Sequence, residues 1–422
     1  MRNSSFLFIP FCFDRGVSFD ALTDEISGSG HFVRTADKNV YMFKYVFDKM
    51  NSDISHFTLT ASGMEKFGIP VGKKCSFTAK GCEYGFTLAD VHLFIFNTAV
   101  GIAAFRVVFD KSDAHYIACA QYNMKKSTFE INAEQSFTFD QMTRNMLSGF
   151  SDCSDNLFFY AEKDKGRAYF LTYLEVQGKD SYDSELYSLR ECYDGGFEYC
   201  EEVEPYCSET FRVAHDRIWG VSSTASVCLG LLDRDKNGFL KESFLSNFNT
   251  YYFTMFVLLL HRRYVMYRFL TDISSKESGL TELENYKSRL ADFENKFIFE
   301  QITDVPQYQQ LYEKVEKAFS LKALYEDVLE PIQMLTDQKE RDEERKEKIK
   351  ENRINSAITM LSLLAIISAI TDSHGFISEM WKRFPLWANI LLIVGATGLI
   401  TYVTINYIIS HVQNKNDEKK KH

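Results

Sequence analysis

Eighteen consecutive residues, Ile354 to Thr371 (INSAITMLSLLAIISAIT), carry no charge. A helix of that length, rising about 1.5 Å per residue, is long enough to cross a hydrocarbon core of roughly 30 Å. A second stretch, Leu386 to Val412, is longer and holds His411 as its one residue of charged type. Both read as transmembrane helices. The segment between them, 372–385, is too short for a domain, so the two spans are expected to form a hairpin around an outer loop.

The basic flanks orient that hairpin. Lys339, Arg341, Arg345, Lys346, Lys348, Lys350 and Arg353 precede the first span, and Lys415, Lys419, Lys420 and Lys421 follow the second. The connecting loop has only Lys382 and Arg383. Lys and Arg accumulate on the cytoplasmic side, so both termini are expected in the cytoplasm, with the protein a multi-pass component of the inner (plasma) membrane. The opening MRNSSFLFIPFCFDRG has an early Arg, but Pro10 interrupts its apolar run, which reads as a strand and not as a signal peptide.

The 422-residue chain leaves room for a substantial soluble domain ahead of the spans. Its net charge of −10 argues against a general nucleic-acid surface, which needs a basic footprint, while leaving room for a local pocket that takes a small anion. Nine cysteines without regular spacing point to reduced thiols. Cys192, Cys200, Cys207 and His215 match no zinc spacing, and no metal site is assigned.

Short apolar runs bounded by Gly, Asn and Asp predict strands at Phe6 to Phe13, His56 to Thr60, Val91 to Phe96, Ile102 to Phe109, Leu157 to Ala161, Ala168 to Val176 and Ser226 to Leu232. Asp164-Lys165-Gly166 and residues 97–101 read as hairpin turns. Helices are expected at Val40 to Met50 and Asp113 to Lys126, which makes residues 1–245 an α+β domain. From Ser246 the pattern turns helical. Asn247 to Asp272 is apolar only as far as His261-Arg262-Arg263, a length that suits a buried core helix whose basic residues pack against acidic helices. Leu280 to Gln301 and Val305 to Phe319 follow as amphipathic helices, completing a helical section over 246–330. Pro331 either starts or kinks the helix that continues as a cytoplasmic stalk, 331–353, into the first span, 354–371. An unbroken helix from Pro331 to Thr371 would be about 60 Å long. The outer loop (372–385), the second span (386–412) and a basic cytoplasmic tail (413–422) complete the layout.

Along the first span Asn355, Thr359, Ser362, Ala369 and Asp372 fall on or near one stripe, with Ala365 and Ile366 between them. Small and polar groups there suit a channel lining in an oligomer, or close helix packing. For an anionic ligand the favoured segment is 212–223. In it Arg212 and Arg217 can pair with phosphate, Trp219 can stack on a base, and His215, Ser222 and Ser223 can complete a polar lining. Asp233 to Gly238 imitates a calcium loop but has Phe244 where the bidentate acid belongs, and so reads as a polar turn. Residues 68–75 fall short of a phosphate-binding loop. There is no HExxH helix, nucleophile elbow or kinase set, so no enzyme is expected.

This layout resembles the CorA superfamily of pentameric cation channels. Arg353-Ile354-Asn355, then Ile358-Thr359-Met360-Leu361-Ser362 and Ala365-Ile366-Ile367, look like that family's stalk-to-pore segment. Where the family has a Gly-Met-Asn tripeptide to hold hydrated magnesium, this chain reads Thr371-Asp372-Ser373-His374-Gly375-Phe376. Together with Tyr251-Tyr252-Phe253 and the segment Phe297 to Leu329, the missing tripeptide is similar to the CorA-like membrane effectors of type III CRISPR systems. The resemblance implies a homo-oligomer, pentameric in that family, whose cytosolic domain binds a nucleotide second messenger such as an S-adenosylmethionine-AMP conjugate, with no direct contact to nucleic acid. Two alternatives stay open: a divalent-cation (magnesium-type) transporter with an altered filter, and a membrane-anchored interaction protein.

Overall fold

The computed structural model describes residues 1–14, 16–35, 41–126, 128–133, 136–148, 150, 167–193, 209–275 and 280–380, with scattered positions between 385 and 405. Side-chain surroundings are described for these except at 274–280 and 370–380. The expected strand at Leu157 to Ala161, the turn at 164–166, Cys200, Cys207, most of 386–412 and the basic tail lie outside the described residues. The chain divides into two units, Met1–Thr336 and Asp337–His422.

In the first unit the chain runs β1 (Asn3–Cys12), α1 (Phe19–Gly28), β2 (Phe32–Arg34), α2 (Lys44–Asp53), β3 (Ile54–Leu59), α3 (Ala61–Phe67), β4 (Lys74–Ala79), β5 (Cys82–Phe96) and β6 (Val100–Phe109). It continues through α4 (Ala114–Met124), α5 (Phe139–Leu147), β7 (Tyr169–Val176), α6 (Asp183–Glu191), β8 (Glu209–Ala214), β9 (Arg217–Val221) and β10 (Ala225–Leu231). The helical section is α7 (Leu245–Asn247), α8 (Phe253–Ser275), α9 (Leu280–Phe297), α10 (Pro306–Ala318) and α11 (Leu321–Met380). All ten strands join one sheet in the order β2-β3-β5-β6-β1-β7-β10-β9-β8, with β4 added on β5. Among the described strands only the β7–β10 pair is parallel.

Helices cover both faces of this sheet, which accounts for central strands that read as continuous apolar runs. Along β1 the side chains alternate: Leu7, Ile9 and Phe11 join one core with α1, α4, α5 and α6, while Phe6 and Phe8 join the other with α8 to α11. In the second core the Phe253 ring lies 4.3 Å from Phe6 and 5.7 Å from Phe8. On the first face Phe11 lies directly over its cross-strand partner Gly101, where a Cβ would stand 2.2 Å from the Phe11 ring.

Two π-helical turns, Leu240–Phe244 and Phe248–Tyr252, lead into α8. The extra residue in each turn shifts which side chains face inward, and Leu240, Phe244, Phe248, Tyr252 and Phe253 are all buried. As expected, α8 is a core helix, and its basic triplet is absorbed there. His261 stacks on Phe96 with centroids 3.8 Å apart and ring planes within 4°, and pairs with Thr98 Oγ1 at 2.7 Å. Arg262 forms an ion pair with Glu316 of α10 at 2.6 Å and donates to the Tyr312 hydroxyl. Arg263 donates to the Ser223 carbonyl.

Pro331 lies inside α11, which neither starts there nor ends there. Val328, Ile332 and Thr336 on either side of it are buried, so packing offsets the backbone hydrogen bond that proline lacks. The helix also runs past Thr371 to Met380. Residues 372–380, expected as outer loop, are therefore helical; no proline intervenes before Pro385, and Gly375 alone lowers helix propensity only modestly. Among the described residues one helix is long and apolar enough to cross a membrane, and none of its apolar window is buried. No disulfide joins any two of the six described cysteines.

Two consequences are measurable. Phe253→Ala removes the ring that bridges sheet and helix, and should cost about 3–5 kcal/mol in chemical denaturation. Burial, reinforced by the neighbouring Arg262 charge, holds His261 well below the usual histidine value and therefore neutral in the fold. Unfolding returns it to about 6.5, so stability due to this group is complete above that pH and is lost as the pH falls below it. In melts between pH 8 and 5.5, His261→Phe should show a smaller acid-side loss than the unaltered protein.

Candidate functional site

The proposed channel-facing residues Asn355, Thr359, Ser362, Ala365 and Ala369 lie on α11 at spacings of three or four residues, with Ile366 next to Ala365. Thr359 and Ile366 are partly covered and the others exposed. The Thr359 hydroxyl donates to the Asn355 carbonyl and that of Ser362 to the Ile358 carbonyl, both at 2.8 Å. Exposed Ile358, Met360, Leu361, Leu364 and Ile367 occupy the rest of the surface. Asp372 falls on the helix, at a position whose side-chain surroundings are outside the description.

The segment proposed for an anionic ligand does not come together as one site. Arg212, His215 and Ser223 are exposed, but Arg217, Trp219 and Ser222 are buried. The reason is the pleat of β9: Arg217, Trp219 and Val221 share one face, which the π-helical segment and α8 cover. Trp219 is fully enclosed against Tyr252 and Phe256, with no face left for a base. Arg217 donates to Asp216 at 3.1 Å and lies over the Phe239 and Phe244 rings at 5.2 and 4.9 Å. Ser222 donates to the Arg190 carbonyl at 2.6 Å. These three side chains are structural, which corrects the expected phosphate and base contacts.

Concave regions of the first unit lie elsewhere. One, about 1030 Å³, opens beside β4, β5 and the start of α4, where Lys74, Lys111 and His115 mingle with Glu83, Asp110 and Asp113. Two others adjoin one another at Arg289 of α9. One, of about 340 Å³, is walled by Val265, Phe269, Phe293 and Phe297 and closed by Asn97 and Thr98 at the β5–β6 hairpin tip. Its neighbour, of about 570 Å³, is lined by Arg268, Asn285, Tyr286 and Ser288, with Asp14, Asp272 and Glu282 at its acidic side.

The hairpin tip is held rigidly. Asn97 is bonded to Asp53 through both main chain and side chain, Thr98 to His261, and Ala99 takes the left-handed conformation at φ +59°. Arg268 is committed to backbone, donating to the Ala99 carbonyl and, at 2.7 Å, to the Phe13 carbonyl. Arg289 lies over Phe269 and Tyr286, 5.4 and 5.9 Å from the ring centroids, and burial alone lowers its guanidinium below the usual arginine value. The sequence signal for it is slight: an arginine with Tyr286 three residues before it, and Asp292 three and Phe293 four residues after.

Among the described residues no group of three or more His, Cys, Asp or Glu is placed to hold a metal ion. Comparisons with protein-family models, with curated proteins and with solved structures return no match.

The burial pattern separates the two kinds of residue on the β8–β9 hairpin. Trp219→Ala should destabilise the protein by about 3–5 kcal/mol through the cavity it leaves, whereas Arg212→Ala should change stability by no more than about 0.5 kcal/mol. Denaturant unfolding of the two variants side by side measures both.

Proposed function

We propose that the chain is an oligomeric membrane channel of CorA-like build, opened by a ligand that binds its α+β domain. One observation supports this reading above the rest: α11 has its first turns in the core of the first unit, with Leu321, Val328 and Ile332 buried, and continues without a break into the exposed, uncharged stretch from Ile354. A helix shared between a folded domain and an apolar span can transmit a change in one to the other. The second span, the cytoplasmic termini and a pentameric ring around Asn355, Thr359, Ser362 and Ala369 belong to the same proposal. In this reading the ligand is a nucleotide second messenger, of the S-adenosylmethionine-AMP kind in the effectors the sequence resembles, and the biological role is antiviral defence. The ligand shifts the gate only by its differential affinity for the open and closed states.

The test is ion leakage from liposomes that hold the purified full-length protein, with and without nucleotides. Nucleotide-dependent flux is expected. Ser362→Phe, which places a bulky ring on the stripe, should reduce that flux at least about tenfold while leaving oligomer mass unchanged. A monomer in detergent, or flux indifferent to every nucleotide and to Ser362, would refute the reading. Selective magnesium flux without any nucleotide would favour the transporter instead.

A further inference from the structure

Cys82 begins β5 at the rim of the cavity beside β4 and α4, where it is exposed. Tyr84, two residues on and so on the same face of the strand, is buried with its ring 5.1 Å from that of Tyr116 on α4. Its hydroxyl is hydrogen-bonded to two thiols, that of Cys119 on α4 and that of Cys82. One phenolic oxygen therefore stands between a sulfur of the sheet and a sulfur of the helix, and the two sulfurs are at most two hydrogen bonds apart. The Cys119 sulfur also lies 3.6 Å from Nε2 of His115, which comes four residues earlier on α4 and is exposed in the wall of the same cavity.

The members of this cluster divide the chemistry between them. Cys82 is open to solvent and meets a small oxidant first. Cys119 is buried beside an imidazole that, in the tautomer protonated on Nδ1, can take its proton and leave the thiolate, the form of sulfur that attacks. Burial, and then the two thiols, push the Tyr84 phenol up to about 12, so at neutral pH it is a proton-bearing spacer between them and not an anion. Cys75 lines the same cavity, but it is closed off and burial pushes its thiol up to about 11, which makes it the natural comparison. We propose that Cys82 and Cys119 are a redox couple that closes to a disulfide between β5 and α4 when the protein meets a hydroperoxide. The Cys82 thiolate attacks the nearer peroxide oxygen, the O–O bond breaks, and Cys82 is left as a sulfenic acid while water or an alcohol departs. Cys119, its proton passed to His115, then attacks the Cys82 sulfur; the S–S bond forms, the S–O bond breaks, and the leaving hydroxide takes that proton as water. Two thiols lose two electrons and the peroxide gains them. The Tyr84 hydroxyl has to leave its place between the sulfurs, because a disulfide needs its Cβ atoms about 3.5–4.5 Å apart. A small-molecule thiol reverses the step by exchange.

The couple stands independently of the channel reading. To test it, the full-length protein in detergent is treated with hydrogen peroxide and digested without reduction, and cross-linked peptides are identified by mass spectrometry, with dimedone added in parallel to trap sulfenic acid. The unaltered protein should yield the Cys82–Cys119 peptide pair, lost again on addition of dithiothreitol. Cys119→Ser should instead accumulate dimedone on Cys82, and Cys75→Ser should cross-link as the unaltered protein does. His115→Ala should slow closure of the disulfide at least about tenfold, because it removes the group that takes the Cys119 proton. Should Cys119→Ser melt early, the peptide map of the unaltered protein and the rate of His115→Ala decide. The assignment is overturned if peroxide leaves Cys82 and Cys119 unlinked in the folded protein, if Cys82 pairs with another chain or with Cys75 instead, or if the cross-link forms as fast without the His115 imidazole.

Discussion

Covering the sheet on both faces is the constraint from which the rest of the first unit follows. Because Leu7, Ile9 and Phe11 face one helical layer while Phe6 and Phe8 face the other, no face of β1 is free to be polar. Room for large rings then has to come from the strands alongside. Gly101 makes it for Phe11, and Gly230 likewise lies under Tyr173, where a Cβ would stand 2.7 Å from the hydroxyl. The same demand explains the π-helical turns before α8. They let Phe244, Phe248, Tyr252 and Phe253 all turn inward onto a twisted sheet, which a regular period would not do.

Three of the basic side chains that enter this interior bring partners with them. His261 is kept neutral and pinned between Phe96 and Thr98, and Arg262 brings Glu316 and Tyr312 with it. Arg217 is covered by two rings and paired with Asp216. A basic residue in an apolar run was therefore an ambiguous sign, correctly taken as structural in His261-Arg262-Arg263 and incorrectly as a phosphate ligand in Arg217. The difference lies in Phe239 and Phe244, which approach Arg217 only through the tertiary fold.

Much of the architecture was legible because its signals are local. The strands at β1, β3, β6, β7 and β10, the hairpin at 97–101 and the helices α4, α8, α9 and α10 follow from short apolar runs, turn residues and periodicity. Short helices such as α1, α3, α5 and α6 went unread, since seven to ten residues with a narrow apolar face resemble loop. The cleft at Arg289 was invisible for a different reason. Its walls come from a hairpin tip near residue 98 and helices near 268 and 290, segments that only the sheet brings together. Whether Pro331 begins a helix or lies within one was likewise undecidable from spacing, because the answer depends on the burial of Val328 and Ile332.

The hydroxyls of Thr359 and Ser362 have a chemical corollary. Each has spent its single proton on a carbonyl of its own helix, so what remains to be offered outward is oxygen lone pairs and nothing that donates. On that side of α11 the two hydroxyls are thus acceptors among methyl groups. Whatever comes to lie along it, a neighbouring helix or a passing ion, is better received if it brings positive charge than if it brings negative.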